Sequence, residues 1–177
     1  MENIESVNNL RVMIARKENP VKKCPGVYCW WFKKDAIHQL LNDYYKIDTC
    51  KLRERIINGE VYCALYFGIS KDMMQRAKWH ICQHHSNSSV KSGYLSTLRQ
   101  TLSALLRKNM IESEDYVNCF MNENCYWEWE YTEDAIEIEY NELTHKDYSY
   151  PLNIQGNKTV SKEWLKFLMS LRKEYRK

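Results

Sequence analysis

Apolar residues arrive along this chain in two kinds of run. Residues 26–32 (Gly-Val-Tyr-Cys-Trp-Trp-Phe) and 61–67 (Val-Tyr-Cys-Ala-Leu-Tyr-Phe) are continuous, aromatic and β-branched, the make-up of largely buried strands. Pro25-Gly26 opens the first and Gly68 closes the second, so each is bounded by a turn former. A third stretch, Tyr126 to Tyr131, alternates aromatics with Glu128 and Glu130, the period of a half-exposed strand. Elsewhere the spacing is helical. Ala36, Ile37, Leu40, Leu41 and Tyr44 predict a helix after the first strand, and a second short piece follows around Leu52, Ile56 and Ile57. Asn58-Gly59 then turns the chain into the second strand. Ser70 is placed to cap a helix over 71–82, and residues 86–92 are polar and loop-like. Leu95, Leu98, Leu102, Leu105 and Leu106 form one stripe of a helix over 93–109. Thr132 caps a helix over 133–145, Pro151 marks a turn, and Ser161 opens a last amphipathic helix to the C-terminus.

Few strands interspersed with helices predict an α+β fold, a small central, mainly antiparallel three-stranded sheet flanked by helices. With 177 residues, 44% of them apolar, the chain is expected to form one domain over 1–177 with a core that needs no disulfides. Five glycines and three prolines leave little room for a flexible linker. The seven cysteines, at 24, 29, 50, 63, 82, 119 and 125, include no CxxC pair. That argues against a zinc ribbon and for a reducing, cytoplasmic setting. Met1-Glu2-Asn3-Ile4-Glu5 lacks the basic start and apolar stretch of a signal peptide. No apolar run reaches the length of a bilayer span, so no membrane association is expected. A net charge of +3 does not by itself announce a nucleic-acid binder, so any basic surface must be local.

Candidate chemistry gathers around the two continuous strands. Tyr28 of Gly26-Val27-Tyr28 and Tyr66 of Tyr66-Phe67-Gly68 are expected to meet at one end of a sheet. On the helix after Gly68, Arg76 and His80 are four residues apart and share a face, while Met73 and Ala77 occupy an adjacent stripe suited to the core. A planar guanidinium grips phosphate oxygens with two prongs and stabilises a phosphoryl transition state. Lys71 and Lys78 beside Arg76, with Lys91, Arg99, Arg107 and Lys108 further on, are candidates for a phosphate-tracking face. Ser92 to Arg99 reads either as a helix N-terminus facing phosphate or as a plain cap. His80, His84 and His85 near Cys82 hint at zinc, but no second ligand pair completes a closed site. The six tryptophans read as core and groove lining, with Trp79 open to a stacking role.

Taken in order, Gly26-Val27-Tyr28, Tyr66-Phe67-Gly68, Arg76, His80 and Pro151-Leu152-Asn153 resemble the GIY-YIG nuclease superfamily. The resemblance implies a GIY-YIG-like α/β sandwich whose core covers about 24–157. The long stretch between the tyrosine motifs is then an inserted helical segment at about 34–58, and the helix at about 161–176 lies outside the shared core. It further implies a carboxylate on a later helix within an apolar frame. Glu139 fits, with Ala135, Ile138 and Leu143 around it, while a longer loop from Leu143 to Pro151 keeps Glu142 open as an alternative. Gly26, Gly68 and Asn153 become supporting residues. Val27 and Phe67 replace the isoleucines of the two motifs, both apolar exchanges.

The function implied is a metal-dependent endonuclease hydrolysing phosphodiester bonds in DNA with a Tyr28, Tyr66, Arg76, His80 and Glu139 site. Glu139 would hold a single divalent ion, Mg²⁺ or Mn²⁺ rather than zinc, since a lone carboxylate with waters and phosphate oxygens suits a hard cation. The general base is Tyr28 or His80. Lys71, Lys78 and Arg99 are the expected nucleic-acid contacts. The alternative is a catalytically silent nucleic-acid-binding module of the same fold.

Overall fold

The computed structural model describes residues 1, 3–41, 51–145 and 147–176. Tyr44 and Cys50 lie outside the described residues. In chain order the elements are β1 (Asn3–Ser6), α1 (Val7–Ala15), β2 (Gly26–Lys33), α2 (Lys34–Leu41), β3 (Glu54–Ile57), β4 (Glu60–Ser70), α3 (Met73–Cys82), α4 (Asn87–Lys91), α5 (Thr97–Leu105), α6 (Glu114–Asn124), β5 (Cys125–Tyr131), α7 (Ala135–Thr144) and α8 (Lys162–Glu174). The class is α+β as expected, but the antiparallel sheet has five strands rather than three, in the order β1-β5-β2-β4-β3. The three expected strands are the central ones. Two edges were missed. β1 is four residues long and carries no alternation of its own. β3 was expected as a helical piece. It is instead one arm of a hairpin whose turn, Asn58 and Gly59, has φ of 51° and 82° at its two residues, the left-handed pair that joins strands tightly.

Helix ends differ by a residue or more from those expected, because the capping side chain is not always the first candidate. Asp72, not Ser70, caps α3 by accepting from the Gln75 N–H at 2.9 Å. β4 therefore continues past Gly68 to Ser70. Residues 87–91 form a short helix where a loop was expected. Helix α6, with Val117, Phe120 and Met121 buried at helical spacing, was not anticipated.

Side chains of β2 alternate between two cores. Tyr28, Trp30 and Phe32 enter the larger one, with residues of α1, α2, α3, α5, α6 and α8. Val27, Cys29 and Trp31 enter the smaller one, beneath Ala135 and Leu143 of α7 and Tyr150. Trp30, Trp31, Trp127, Trp129 and Trp164 are all buried, which accounts for five of the six tryptophans. The six described cysteines are free. Among the described residues no helix is long and apolar enough to cross a membrane.

Candidate active site

Parity along β4 decides whether the two tyrosines meet. Tyr62 and Ala64 face the smaller core, so strict alternation would send Tyr66 there too. The register slips instead: Trp31 pairs with Ala64 and Trp30 with Tyr66, leaving Leu65 as an extra residue. A bulge of this kind re-aims the following side chain. Tyr66 is thereby turned to the larger core's side, where its ring stacks with Tyr28 at 6.3 Å between centroids and 22° between planes. Tyr28 pairs with Gly68 across the sheet, and the phenol lies over that glycine. A Cβ at Gly68 would stand 2.5 Å from the Tyr28 hydroxyl, so the glycine is a condition of the tyrosine's position. Gly26 has a similar reason, since a Cβ there would lie 2.3 Å from the Glu130 carbonyl oxygen.

Asn153 holds the bulged strand from outside. β3 covers β4 only as far as Cys63. Beyond it, Leu152 N–H donates to Leu65 C=O at 2.9 Å. The Asn153 amide accepts from Phe67 N–H at 2.8 Å and donates to Phe67 C=O at 2.7 Å. One side chain thus does what a neighbouring strand would do for both backbone groups of a residue.

Helix α3 supplies the next two groups. Met73, Ala77 and Ile81 are buried, which seats the helix and turns His80 inward. His80 Nε2 is 2.9 Å from the Tyr28 hydroxyl and its Nδ1 is 2.6 Å from Ser96 Oγ. Burial first, then the charges of Arg76 and Arg99, hold His80 well below its ordinary pKa, so the ring is a neutral imidazole. Burial likewise pushes the Tyr28 phenol well above its usual value, and Arg76 only partly opposes it. Tyr66 is raised by burial as well, with the Thr97 hydroxyl and Arg76 favouring its ionised form. Arg76 is half-buried, its guanidinium 4.8 Å over the Trp79 ring.

Glu139 comes from the other side of the sheet, on α7. Ala135 and Leu143 bury the helix, and Glu139 is left half-buried in a cavity of about 430 Å³ lined also by Tyr66, Thr97 and Asn153. Burial raises its pKa and Arg76 pulls it back. One guanidinium therefore acts on Tyr28, Tyr66, His80 and Glu139 together. Glu142 is elsewhere. It accepts from the Tyr150 hydroxyl and lies 3.9 Å from Arg53, lining a separate recess with Asp147 and Tyr148.

Of the expected nucleic-acid contacts, Lys71 and Lys78 are exposed, and Lys78 borders the same recess as Arg76. Arg99 is not on that face. It is fully buried: Nε donates to His85 Nε2 at 2.8 Å, Nη1 to the carbonyls of His80 and Ile81 at 3.1 and 3.2 Å, and Nη2 to Asn118 at 2.7 Å. Leucines mark one buried stripe of α5, but the helix is interior, with residues 98 to 105 buried on every side. Burial lowers the Arg99 pKa to about 10. The histidine cluster is also dispersed, His84 to Glu114 at 2.8 Å and His85 to the Met110 carbonyl at 2.7 Å. Ser96 was missed as a partner of His80. Its sequence signal is the N-cap of α5, which its position before Thr97 fulfils.

The GIY-YIG catalytic domain model matches residues 26–174, a span that takes in the segment at 34–58 and helix α8 as well as every residue of the site. Comparison with curated proteins and with solved structures found no match. A nuclease-type function acting on nucleic acid comes with that domain. From Gly26 to α8, the bulged tyrosine pair, the helix that carries Arg76 and His80 and the asparagine that closes the strand edge make this chain a member of the GIY-YIG family.

Proposed function

We propose that the protein is a metal-dependent endonuclease that hydrolyses phosphodiester bonds in DNA. The observation that carries this reading is the meeting of Tyr28, Tyr66 and His80 beside a half-buried Glu139, all within the field of Arg76. Among the described residues no three His, Cys, Asp or Glu side chains converge on one point. A dication here would rest on Glu139 alone, with water and phosphate oxygens completing its shell, which suits Mg²⁺ or Mn²⁺. Bound there, the ion would supply Lewis-acid stabilisation of the leaving oxygen.

The remaining work falls to side chains. Arg76 draws a phosphate by charge and stabilises the negative charge that builds on its oxygens as water attacks. With Nδ1–H of His80 donating to Ser96, Nε2 is free to accept the Tyr28 proton. The Tyr28 oxygen then takes a proton from the attacking water, and the bond between phosphorus and the leaving oxygen breaks. Burial makes this transfer uphill in the free protein, since it disfavours both phenolate and imidazolium. Cation charge near the phenol offsets that cost, which ties base function to a loaded site. Tyr66, Thr97 and Asn153 shape the wall beside Glu139, and Lys71 and Lys78 contact the flanking phosphates. Free thiols at all six described cysteines suit a reducing cytoplasm.

The test is nicking of supercoiled plasmid with Mg²⁺ or Mn²⁺, against chelator, by the natural protein and by Glu139→Gln. Metal-dependent nicking that falls by at least about 10²-fold in Glu139→Gln is the expected result. Binding without any cleavage, across both metals and on branched and single-stranded DNA, would make the protein a silent binding module instead.

A further inference from the structure

Two aromatic side chains border the candidate site without a role of their own in the proposed chemistry, Trp79 and Tyr94. Tyr94 is 66% exposed, in the turn between α4 and α5. Its ring lies 5.5 Å from that of Trp79, tilted by 31°. Trp79 also meets the Arg76 guanidinium at 4.8 Å and the His80 ring at 6.2 Å, stacked at 26°. Arg76, Trp79 and Tyr94 therefore form a stepped stack that starts at the candidate site and ends in solvent.

The turn that carries Tyr94 is held firmly. Trp79 Nε1 and Gln83 Nε2 both donate to the Tyr94 carbonyl, at 3.2 and 3.1 Å. Gln83 Oε1 accepts from Ser96 N–H at 2.7 Å, so the same amide ties both sides of the turn. Leu95 is buried, with its N–H on the Ser89 carbonyl at 2.9 Å. Gly93 takes the turn at a φ of 74°. A fixed backbone holds the phenol ring with one side on Trp79 and most of its surface in water, and that exposed part contributes no burial to folding. Beside the stack is a cavity of about 350 Å³ whose wall includes Ser70, Gln75 and Lys78. An aromatic face backed by a second ring, flanked by cationic side chains, is the chemistry that receives an unpaired base while its phosphates are held alongside.

We propose that Tyr94, backed by Trp79, is a stacking platform for one unpaired nucleobase on the strand held at the candidate site, a short way from the scissile phosphate. The preferred substrate is accordingly DNA that is single-stranded or unpaired near the cleavage point. This rests on the nuclease reading for its substrate, and its position follows from Arg76. A base on the outer face of Tyr94 stands beyond both rings from Arg76, and the strand that carries it runs back along the recess that Lys78 and Arg76 line. A fully paired duplex keeps its bases stacked on one another and has no free base to offer.

The test separates binding from turnover. Binding of labelled oligonucleotides is measured by fluorescence anisotropy in chelator, for a single strand, a matched duplex and a duplex with a short unpaired stretch. The natural protein is expected to favour the two substrates with unpaired bases. Tyr94→Ala is expected to weaken those two by about tenfold, the lower end of what losing one stacked base costs, with the matched duplex unchanged. Tyr94→Phe keeps the ring and should bind as the natural protein does. Tyr116→Ala, at another exposed tyrosine on α6, should change nothing. Equal weakening on all three substrates, or none, overturns the platform. Metal-dependent cleavage is scored separately: selective binding without cleavage would sustain the platform and remove the nuclease reading, and cleavage indifferent to Tyr94→Ala would do the reverse.

Discussion

Helix α3 has an arginine on its open side and receives another at its closed end. Arg76 is half-buried, rests on the Trp79 ring, and its charge reaches four groups of the candidate site. Arg99, from α5, is fully buried and caps the last carbonyls of α3 while holding His85 and Asn118. Both are on helices that sequence periodicity predicts, and both look like phosphate ligands on paper. The difference is in what the fold has already spent their donors on. A guanidinium whose donors all meet internal acceptors has none for a ligand, whereas one lying on an aromatic face keeps its fork available.

Alanine at each position separates the two roles most sharply. Arg76→Ala is expected to lower the cleavage rate by on the order of 10³-fold while leaving the melting temperature in place. Arg99→Ala is expected to lower stability by roughly 3 kcal/mol, seen as an earlier midpoint in urea, because it orphans two helix-end carbonyls and two side chains. Comparable destabilisation by both would erase the distinction.

Acid should act on the Arg99 region through His85, as it acts on the candidate site through His80. His85 donates from Nδ1 to the Met110 carbonyl and accepts from Arg99 at Nε2, so it is held neutral, and burial lowers its pKa from 6.5 to about 4. In that interval the unfolded chain binds a proton that the folded chain does not. Stability is therefore complete above about pH 6.5 and falls as the pH drops towards 4, by up to about 3 kcal/mol from this group. Urea midpoints against pH test this, and His85→Asn should make the slope in that window shallower, with the share of His80 remaining. An unchanged slope would place the acid sensitivity elsewhere.

The smallest effect concerns the residue that joins the two regions. Ser96 caps α5 and fixes the ring of His80. Ser96→Ala should lower kcat by about tenfold with KM unchanged, and lower stability by about 1 kcal/mol for the lost cap. A change in KM alone would show that Ser96 acts on substrate rather than on His80.

Much of the fold was legible because it depends on local pattern. Continuous aromatic runs marked β2 and β4, alternation marked β5, and Asn58-Gly59 marked its hairpin turn. Strands β1 and β3 were missed since four residues are too few for a period to register, and both exist only through pairing with β5 and β4. Within the site, the spacing of Arg76 and His80 could be read directly, as could their common face. Resemblance, rather than spacing, singled out Glu139 and Asn153.

By itself, then, the sequence determined the three central strands and the helices α2, α3, α5, α7 and α8, which helix face carries Arg76 and His80, and which family's order of motifs the chain follows. Tertiary structure alone decided that Leu65 is bulged and so turns Tyr66 to Tyr28, that Asn153 completes the edge of β4, that Glu142 is occupied by Tyr150, and that Arg99 is interior. The physical reason is the same each time. Periodicity specifies the side of an element on which a residue stands, but the partner that meets it there, and whether its donors and acceptors are already used, depends on elements far away in the chain.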